Sequence, residues 1–156
     1  MPDLHRNLIG GEWVAGASAT TNRNPSDVRD VIGEYAHADA AQARAAVAAA
    51  GQAFPGWAAG SIQERSIILD RVGTELLARK DELGRLLSRE EGKTLPEGIG
   101  EAARAGHIFK FFAGEVLRMT GDKVPSVRPG IDVEVTREPV GVVGLITPWN
   151  FPMAIP

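Results

Sequence analysis

The feature that most constrains the fold is a continuous apolar run over 140–146, which contains only valine, leucine, isoleucine and glycine. A strand with one solvated face alternates apolar and polar residues, whereas a strand covered on both faces does not. The run therefore predicts a buried strand of a parallel α/β sheet. Since one strand does not make a sheet, we expect the chain to be the opening part of a larger protein.

Polar and aromatic residues follow this predicted strand directly. They are Thr147, Pro148, Trp149 and Asn150. Ligands of open parallel sheets bind at the carboxyl ends of the strands, so this turn is a candidate binding site. By residue type alone, Asn150 is better explained as a turn residue whose side chain hydrogen-bonds to its own backbone. The alternative is a hydrogen-bond donor to a negatively charged intermediate.

Composition restricts the class of protein. The chain is 44% apolar and 24% charged, with a net charge of −3, which is ordinary globular usage and unlike a basic nucleic-acid surface. Met1 to Gly10 lacks the apolar core of a signal peptide. No apolar run approaches the roughly 20 residues that span a bilayer. We expect a soluble, cytoplasmic protein.

The chain has no cysteine and three scattered histidines, at positions 5, 37 and 107. A disulfide framework is therefore excluded within this sequence. The histidines are not spaced like a metal-ligand set, and we expect no metal site.

Turn residues divide the first 37 positions into short extended segments. Gly10-Gly11 predicts a hairpin in which Trp13 covers the core. The residues 24–27 form a predicted turn, and 31–36 a predicted strand.

Three long helical stretches follow. Asp39 is a predicted N-cap for an alanine-rich helix over 40–54, which Pro55-Gly56 would end. Ser61, with Glu64 three residues later, predicts a capping box and a helix to about position 79. The helix restarts near Asp81 and ends at Gly92.

The third helix begins at Leu95 and is closed by Gly121-Asp122. Its glycines, at 98, 100, 106 and 114, lower helix propensity but allow a neighbouring element to approach closely. Apolar and polar residues then alternate over 131–136, which predicts a strand with one solvated face. Such a strand invites pairing with another chain.

The residues Pro139 to Pro152 resemble the first cofactor-domain strand and following turn of the NAD(P)-dependent aldehyde dehydrogenases. The run Ile9 to Trp13 and the segment Phe111 to Glu115 are also similar to this family. The resemblance covers nearly all 156 residues, but only the amino-terminal part of a family member.

The resemblance implies an α/β fold: helices, the first strand of a Rossmann-like cofactor domain, and a β oligomerisation arm. It divides the chain into a helical part of the cofactor domain at 1–122, the arm at 123–138, and the first strand with the start of the active-site loop at 139–156. The arm of the family pairs with another subunit, which implies a homodimer or homotetramer.

The resemblance also implies a site. In the aldehyde oxidation of this family, the side chain of Asn150 would donate a hydrogen bond to the oxyanion of the intermediate. The cofactor, NAD or NADP, would contact Ile146, Thr147, Pro148, Trp149 and Asn150. The family nucleophile is a cysteine that forms a thiohemiacetal, and it lies outside this chain, as do the general base and a cofactor-binding lysine. Glu90, Glu91 and Glu101 are expected to be solvated helix residues.

The substrate implied by the resemblance is a carboxylate-bearing semialdehyde, with 2-oxoglutarate semialdehyde (2,5-dioxovalerate) first. Succinate semialdehyde or another aldehyde is the alternative. A carboxylate needs a cation, and Arg104 is a candidate, although the residue alone fits an exposed helix arginine somewhat better. Phe151 and Phe111 are candidate substrate contacts. Phe111 fits a core position as well, and Phe112 is expected in the core.

A different class of function stays open. If nothing follows Pro156, the absence of cysteine favours a non-catalytic binding or oligomerisation module. We expect the 156-residue chain by itself to have no dehydrogenase activity.

Overall fold

The computed structural model describes residues 4–156, so the first three residues of the predicted 1–122 part lie outside it. Five strands come first: β1 (Leu4–His5), β2 (Asn7–Ile9), β3 (Glu12–Val14), β4 (Ser18–Asn24) and β5 (Asp27–His37). The strand β5 is the centre of a three-stranded sheet, parallel to β1 and antiparallel to β4. The strand β4 was not predicted from the sequence, because its residues are polar and small and show no apolar alternation.

The predicted hairpin is confirmed. The strands β2 and β3 pair antiparallel around Gly10 and Gly11, whose φ angles are +60° and +87°. Only glycine adopts such angles without strain. The prediction for Trp13 was wrong: its side chain is 62% exposed. The turn over 24–27 is confirmed, and its Ser26 N–H donates to the Asn24 side chain at 2.9 Å.

Four helices follow, α1 (Ala40–Ala59), α2 (Ile62–Ala78), α3 (Lys80–Glu91) and α4 (Leu95–Glu115). Two predicted N-caps are confirmed: Asp39 accepts from the Gln42 N–H, and Ser61 accepts from the Glu64 N–H. Gly92 ends α3 with a φ of +79°. These caps satisfy backbone groups that a helix end leaves without a partner.

Two helix ends differ from the prediction. The helix α1 continues through Pro55 to Ala59, since Pro55 removes only the hydrogen bond to the carbonyl of Gly51, which is exposed to solvent. In the last turn, the Arg65 guanidinium donates to the carbonyl oxygens of Trp57 and Ala58 at 2.7 and 2.9 Å. The helix α4 ends at Glu115 and passes into a short 3-10 helix, Val116–Arg118, before reaching Gly121.

The helix α4 is the centre of the helical layer and packs against both α2 and α3. The buried apolar side chains are Leu87 on α3 and Ala102, Ala105 and Ala113 on α4. Small residues dominate this core, so the helix backbones approach closely. A Cβ atom at Gly98 would lie 2.5 Å from the carbonyl oxygen of Gly84.

The predicted strand near 131–136 is confirmed as part of an antiparallel hairpin of β6 (Asp122–Pro125) and β7 (Asp132–Val135). Every residue of both strands is exposed. A two-stranded hairpin on its own is marginally stable in water.

The buried strand predicted over 140–146 is not formed in this structure. The segment 136–148 has no regular secondary structure, and the side chains of Val140 and Ile146 are 90% and 102% exposed. A strand requires a hydrogen-bonded neighbour, and none of the sheets formed by residues 4–156 lies beside this segment. No helix among the described residues has the length and apolar character that crossing a membrane requires.

Candidate functional site

A pocket of about 470 Å³ lies between the first half of α4 and the turn over 149–154, which contains Asn150. Its lining is both charged and aromatic, and consists of Lys93, Glu97, Gly100, Glu101, Arg104, Asn150 and Phe151. Three residues singled out from the sequence for chemistry, Asn150, Arg104 and Phe151, are thus brought together here. They come from positions almost 50 residues apart in the chain.

The Asn150 turn reverses the chain over 149–154 and contains one helical hydrogen bond, from the Ile155 N–H to the Phe151 carbonyl oxygen at 3.2 Å. Asn150 is exposed at the pocket. Its side chain carries an N–H donor that needs no particular pH to be in its donating state.

Arg104 lies on α4 and is exposed. Among residues 4–156 it makes no ion pair within 4.0 Å, in contrast to Arg79, Arg89 and Arg118. A guanidinium group binds a carboxylate through two parallel hydrogen bonds. The charge of Arg104 is therefore available to an anionic group that enters the pocket.

The loop between α3 and α4 positions Lys93. Gly92 turns the chain, and the Ser88 hydroxyl donates to the Lys93 carbonyl oxygen at 2.6 Å. Burial lowers the pKa of Lys93, but hydrogen bonds to Glu101 and Glu91 outweigh it, so the pKa lies above its ordinary value. Lys93 is therefore a fixed cation at the pocket wall.

The expectation that three glutamates are solvated was wrong. Glu101 is only 4% exposed, because it lies on the face of α4 that carries Gly98, Ala102 and Ala105. Glu91 is half-buried and pairs with Lys93 at 2.7 Å. Glu90 is half-buried and accepts from the Asn22 amide at 2.9 Å.

Two aromatic residues lie outside the pocket. Phe111 and Phe112 are 59% and 53% exposed and contact each other edge to face, with ring centres 5.2 Å apart. The core prediction for Phe112 was wrong: its side chain borders surface pockets beside Leu69 of α2, which residues 4–156 leave open. Phe111 as a substrate contact stays a prediction.

The segment 146–149 precedes the pocket. Ile146 and Trp149 are 102% and 84% exposed, and no backbone group of 146–149 bonds to another within residues 4–156. Ile146, Thr147, Pro148, Trp149 and Asn150 as cofactor contacts stay a prediction. Among the described residues, no group of three or more His, Cys, Asp or Glu side chains is arranged to hold a metal ion.

Sequence reasoning missed Lys93 and Glu101. One signal could have found Glu101: positions 98, 101, 102 and 105 share a helical face, and the others are glycine or alanine. A carboxylate on a face of such small residues is placed against a neighbouring element. For Lys93 we find no comparable signal.

The profile of the "Aldehyde dehydrogenase family" matches residues 13–156. The chain is 41% identical to the alpha-ketoglutarate semialdehyde dehydrogenase of Haloferax volcanii, over 100% of this chain and 33% of that protein. It is 41% identical to the alpha-ketoglutaric semialdehyde dehydrogenase of Bacillus subtilis, over 99% of this chain and 32% of that protein.

The crystal structure of an NADP-dependent enzyme of E. coli superposes with a TM-score of 0.91 at 36% identity, covering 97% of this chain and 32% of that one. The chain thus spans about a third of the length of the relatives it matches. The helical layer, the two hairpins and the turn at Asn150 are those of the amino-terminal part of that fold. The chain belongs to the aldehyde dehydrogenase family.

Proposed function

We propose that the protein carrying this chain is an NAD(P)-dependent aldehyde dehydrogenase that oxidises a carboxylate-bearing semialdehyde to the acid. The favoured substrate is 2-oxoglutarate semialdehyde, and succinate semialdehyde is the second candidate. One observation carries the proposal: a neutral amide donor, Asn150, lines the same pocket as Arg104, a cation that forms no ion pair with any residue of 4–156. The names of the Haloferax volcanii and Bacillus subtilis relatives support this choice of substrate.

Asn150 acts on the aldehyde end of the substrate. Attack on the carbonyl by a nucleophile outside this chain places negative charge on the oxygen. The Asn150 amide donates a hydrogen bond to that oxygen, and such a donor contributes most where the charge develops in the transition state.

Arg104 acts on the other end of the substrate. It lines the same pocket as Asn150 and Phe151. In the proposal, a short substrate binds with its aldehyde at Asn150 and its carboxylate at Arg104, and Phe151 supplies an apolar contact. A neutral aldehyde forms no ion pair with Arg104 and binds more weakly.

The dinucleotide, NAD or NADP, is the hydride acceptor of the proposed reaction. In the proposal, Ile146, Thr147, Pro148 and Trp149 form one wall of its site, because they lie at the carboxyl end of the predicted strand. The segment 139–148 becomes a strand when neighbouring strands of the same enzyme lie beside it.

The hairpin of β6 and β7 is the proposed oligomerisation arm within 123–138. Val124, Val133 and Val135 are exposed on one face, while Lys123 and Asp132 form an ion pair on the other. An apolar face on a two-stranded hairpin requires a partner. We therefore propose a homodimer or homotetramer, and sedimentation of the complete protein as a monomer would rule this out.

The substrate class is tested by replacing Arg104 with Met in the complete enzyme. A charge-assisted hydrogen bond contributes about 1.5 kcal/mol or more, and 1.4 kcal/mol corresponds to a factor of ten. We expect KM for 2-oxoglutarate semialdehyde to rise at least about tenfold, while KM for a neutral aldehyde of equal length changes little.

The matched control is Arg44→Met, which removes an exposed arginine from α1. It is expected to leave both KM values unchanged. If Arg104→Met leaves the ratio of KM between the acidic and the neutral aldehyde unchanged, Arg104 does not bind the substrate carboxylate.

A further inference from the structure

Glu101 is the one buried charged residue of the part of the chain that the structure describes, and its side chain is only 2% exposed. A buried carboxylate is costly unless its oxygens are paired and hydrogen-bonded. Glutamine or leucine on this face of α4 would avoid that cost. The partners of the carboxylate therefore indicate what it does.

The two oxygens of Glu101 bind different elements. Its Oε2 accepts from the Nζ of Lys93 at 2.5 Å. Its Oε1 accepts from the backbone N–H groups of Met153 and Ala154, at 3.0 and 3.4 Å. The carboxylate thus connects α4 and the loop before it to the far end of the Asn150 turn, across 52 residues of sequence.

Lys93 holds the near end of the same turn. Its Nζ donates to the carbonyl oxygen of Asn150 at 3.1 Å and lies 4.7 Å from the centre of the Phe151 ring. Glu91 contributes a second carboxylate at 2.7 Å from Nζ. The backbone that carries the Asn150 side chain is therefore fixed on both sides, at its own carbonyl and at the N–H groups three and four residues later.

We propose that Glu101 and Lys93 are positioning residues that hold the Asn150 amide in its donating direction. The proposal rests on the proposed function, in which Asn150 binds the oxyanion. Neither residue touches the reacting atoms. A donor helps only when it is aimed at the position the oxyanion will occupy, and a displacement of about 1 Å costs on the order of 100-fold in rate.

The test uses Glu101→Gln and Lys93→Met in the complete enzyme, each alone and combined with Asn150→Ala. Glutamine keeps the shape of glutamate but loses the charge that pairs with Lys93. We expect each single variant to lower kcat up to about 100-fold, with KM for the aldehyde nearly unchanged. In the Asn150→Ala background, we expect no further loss of kcat, because the group being positioned is already absent.

The control is Glu82→Gln, which removes an exposed carboxylate on α3 that pairs with Arg79. It is expected to leave kcat unchanged. Lys93→Arg retains the cation and is expected to keep at least part of the kcat that Lys93→Met loses. This result would separate positioning by the charge from loss of packing. Lys93→Arg also serves as the second variant if Glu101→Gln does not fold.

The outcomes are distinguishable. If Asn150→Ala itself leaves kcat unchanged, the proposed function of Asn150 fails, and the positioning proposal fails with it. A different result is that Asn150→Ala lowers kcat, while Glu101→Gln and Lys93→Met each lower kcat by the same factor in the Asn150→Ala background as in the wild type. In that case these residues act independently of Asn150, and only the positioning proposal is overturned.

Discussion

At the scale of single residues, the charge of Lys93 determines how the Asn150 turn is held. Its amine pairs with two carboxylates and one carbonyl oxygen. Burial lowers the pKa of Lys93, but its hydrogen bonds to Glu101 and Glu91 raise the pKa by more than burial lowers it. The pKa in the folded protein therefore lies above the ordinary 10.5. The stability that Lys93 contributes is therefore fully present below pH 10.5 and is lost as the pH rises through the folded pKa.

The raised pKa of Lys93 predicts how the stability of the protein depends on pH. The thermal unfolding midpoint of the complete enzyme should exceed that of Lys93→Met by a constant amount from about pH 7 to about pH 9, because Lys93 keeps its proton throughout. The difference should shrink only above pH 10.5. Calorimetry at several pH values measures it. A difference that already shrinks between neutral pH and pH 9 would mean that burial prevails and the pKa is lowered.

At the scale of elements, glycines determine how closely α4 approaches its neighbours. A Cβ at Gly98 would lie 2.5 Å from the Gly84 carbonyl oxygen, and a Cβ at Gly106 would lie 2.7 Å from Cγ of Leu77. Gly100, by contrast, has nothing within 4 Å. Gly98 and Gly106 thus allow close helix packing and Gly100 does not, a difference that the sequence alone does not show.

We expect Gly98→Ala to lower the thermal midpoint of the complete enzyme. Overpacking a core costs up to about 3 kcal/mol, and the gain of about 1 kcal/mol in helix propensity offsets only part of it. Gly51→Ala on α1 is the matched control, because a Cβ there meets nothing within 4 Å. It should raise the midpoint through propensity alone. Equal shifts of the same sign for the two variants would show that the α3–α4 contact is not close.

Capping and turn residues in the sequence predicted the helices well. They did not predict contacts between residues far apart in the chain. Asp39, Ser61 and Gly92 act on the residues next to them, so their caps could be read from the sequence. The end of α1 could not, because the carbonyl oxygens of its last turn are capped by Arg65, which lies on the next helix.

The same distinction applies to the candidate site. Asn150, Arg104 and Phe151 were identified by residue type and family resemblance, and they do line one pocket. Glu101 was judged solvated, because its burial depends on Met153 and Ala154, more than 50 positions away. The apolar run over 140–146 has the composition of a buried strand, but pairing requires neighbours that residues 4–156 do not provide.

At the scale of the whole molecule, the chain spans about a third of its curated relatives, and much of its apolar surface is exposed. Val140, Leu145, Ile146 and Trp149 are each more than 70% exposed. Exposed apolar side chains clustered in one segment of the chain indicate an interface. In our proposal, further strands of the same enzyme cover it and complete the cofactor site beside the pocket.

The central claim is that the pocket at Asn150 is the site of aldehyde oxidation, and the most direct measurement is kcat of Asn150→Ala in the complete enzyme. Formation of NAD(P)H from 2-oxoglutarate semialdehyde is followed, with Gln52→Ala, an exposed amide on α1, as the control. A polypeptide of residues 1–156 alone, which has no cysteine, should form none. We predict that Asn150→Ala lowers kcat about 100- to 1000-fold while Gln52→Ala has no effect. An Asn150→Ala enzyme with the kcat of the wild type would contradict the account.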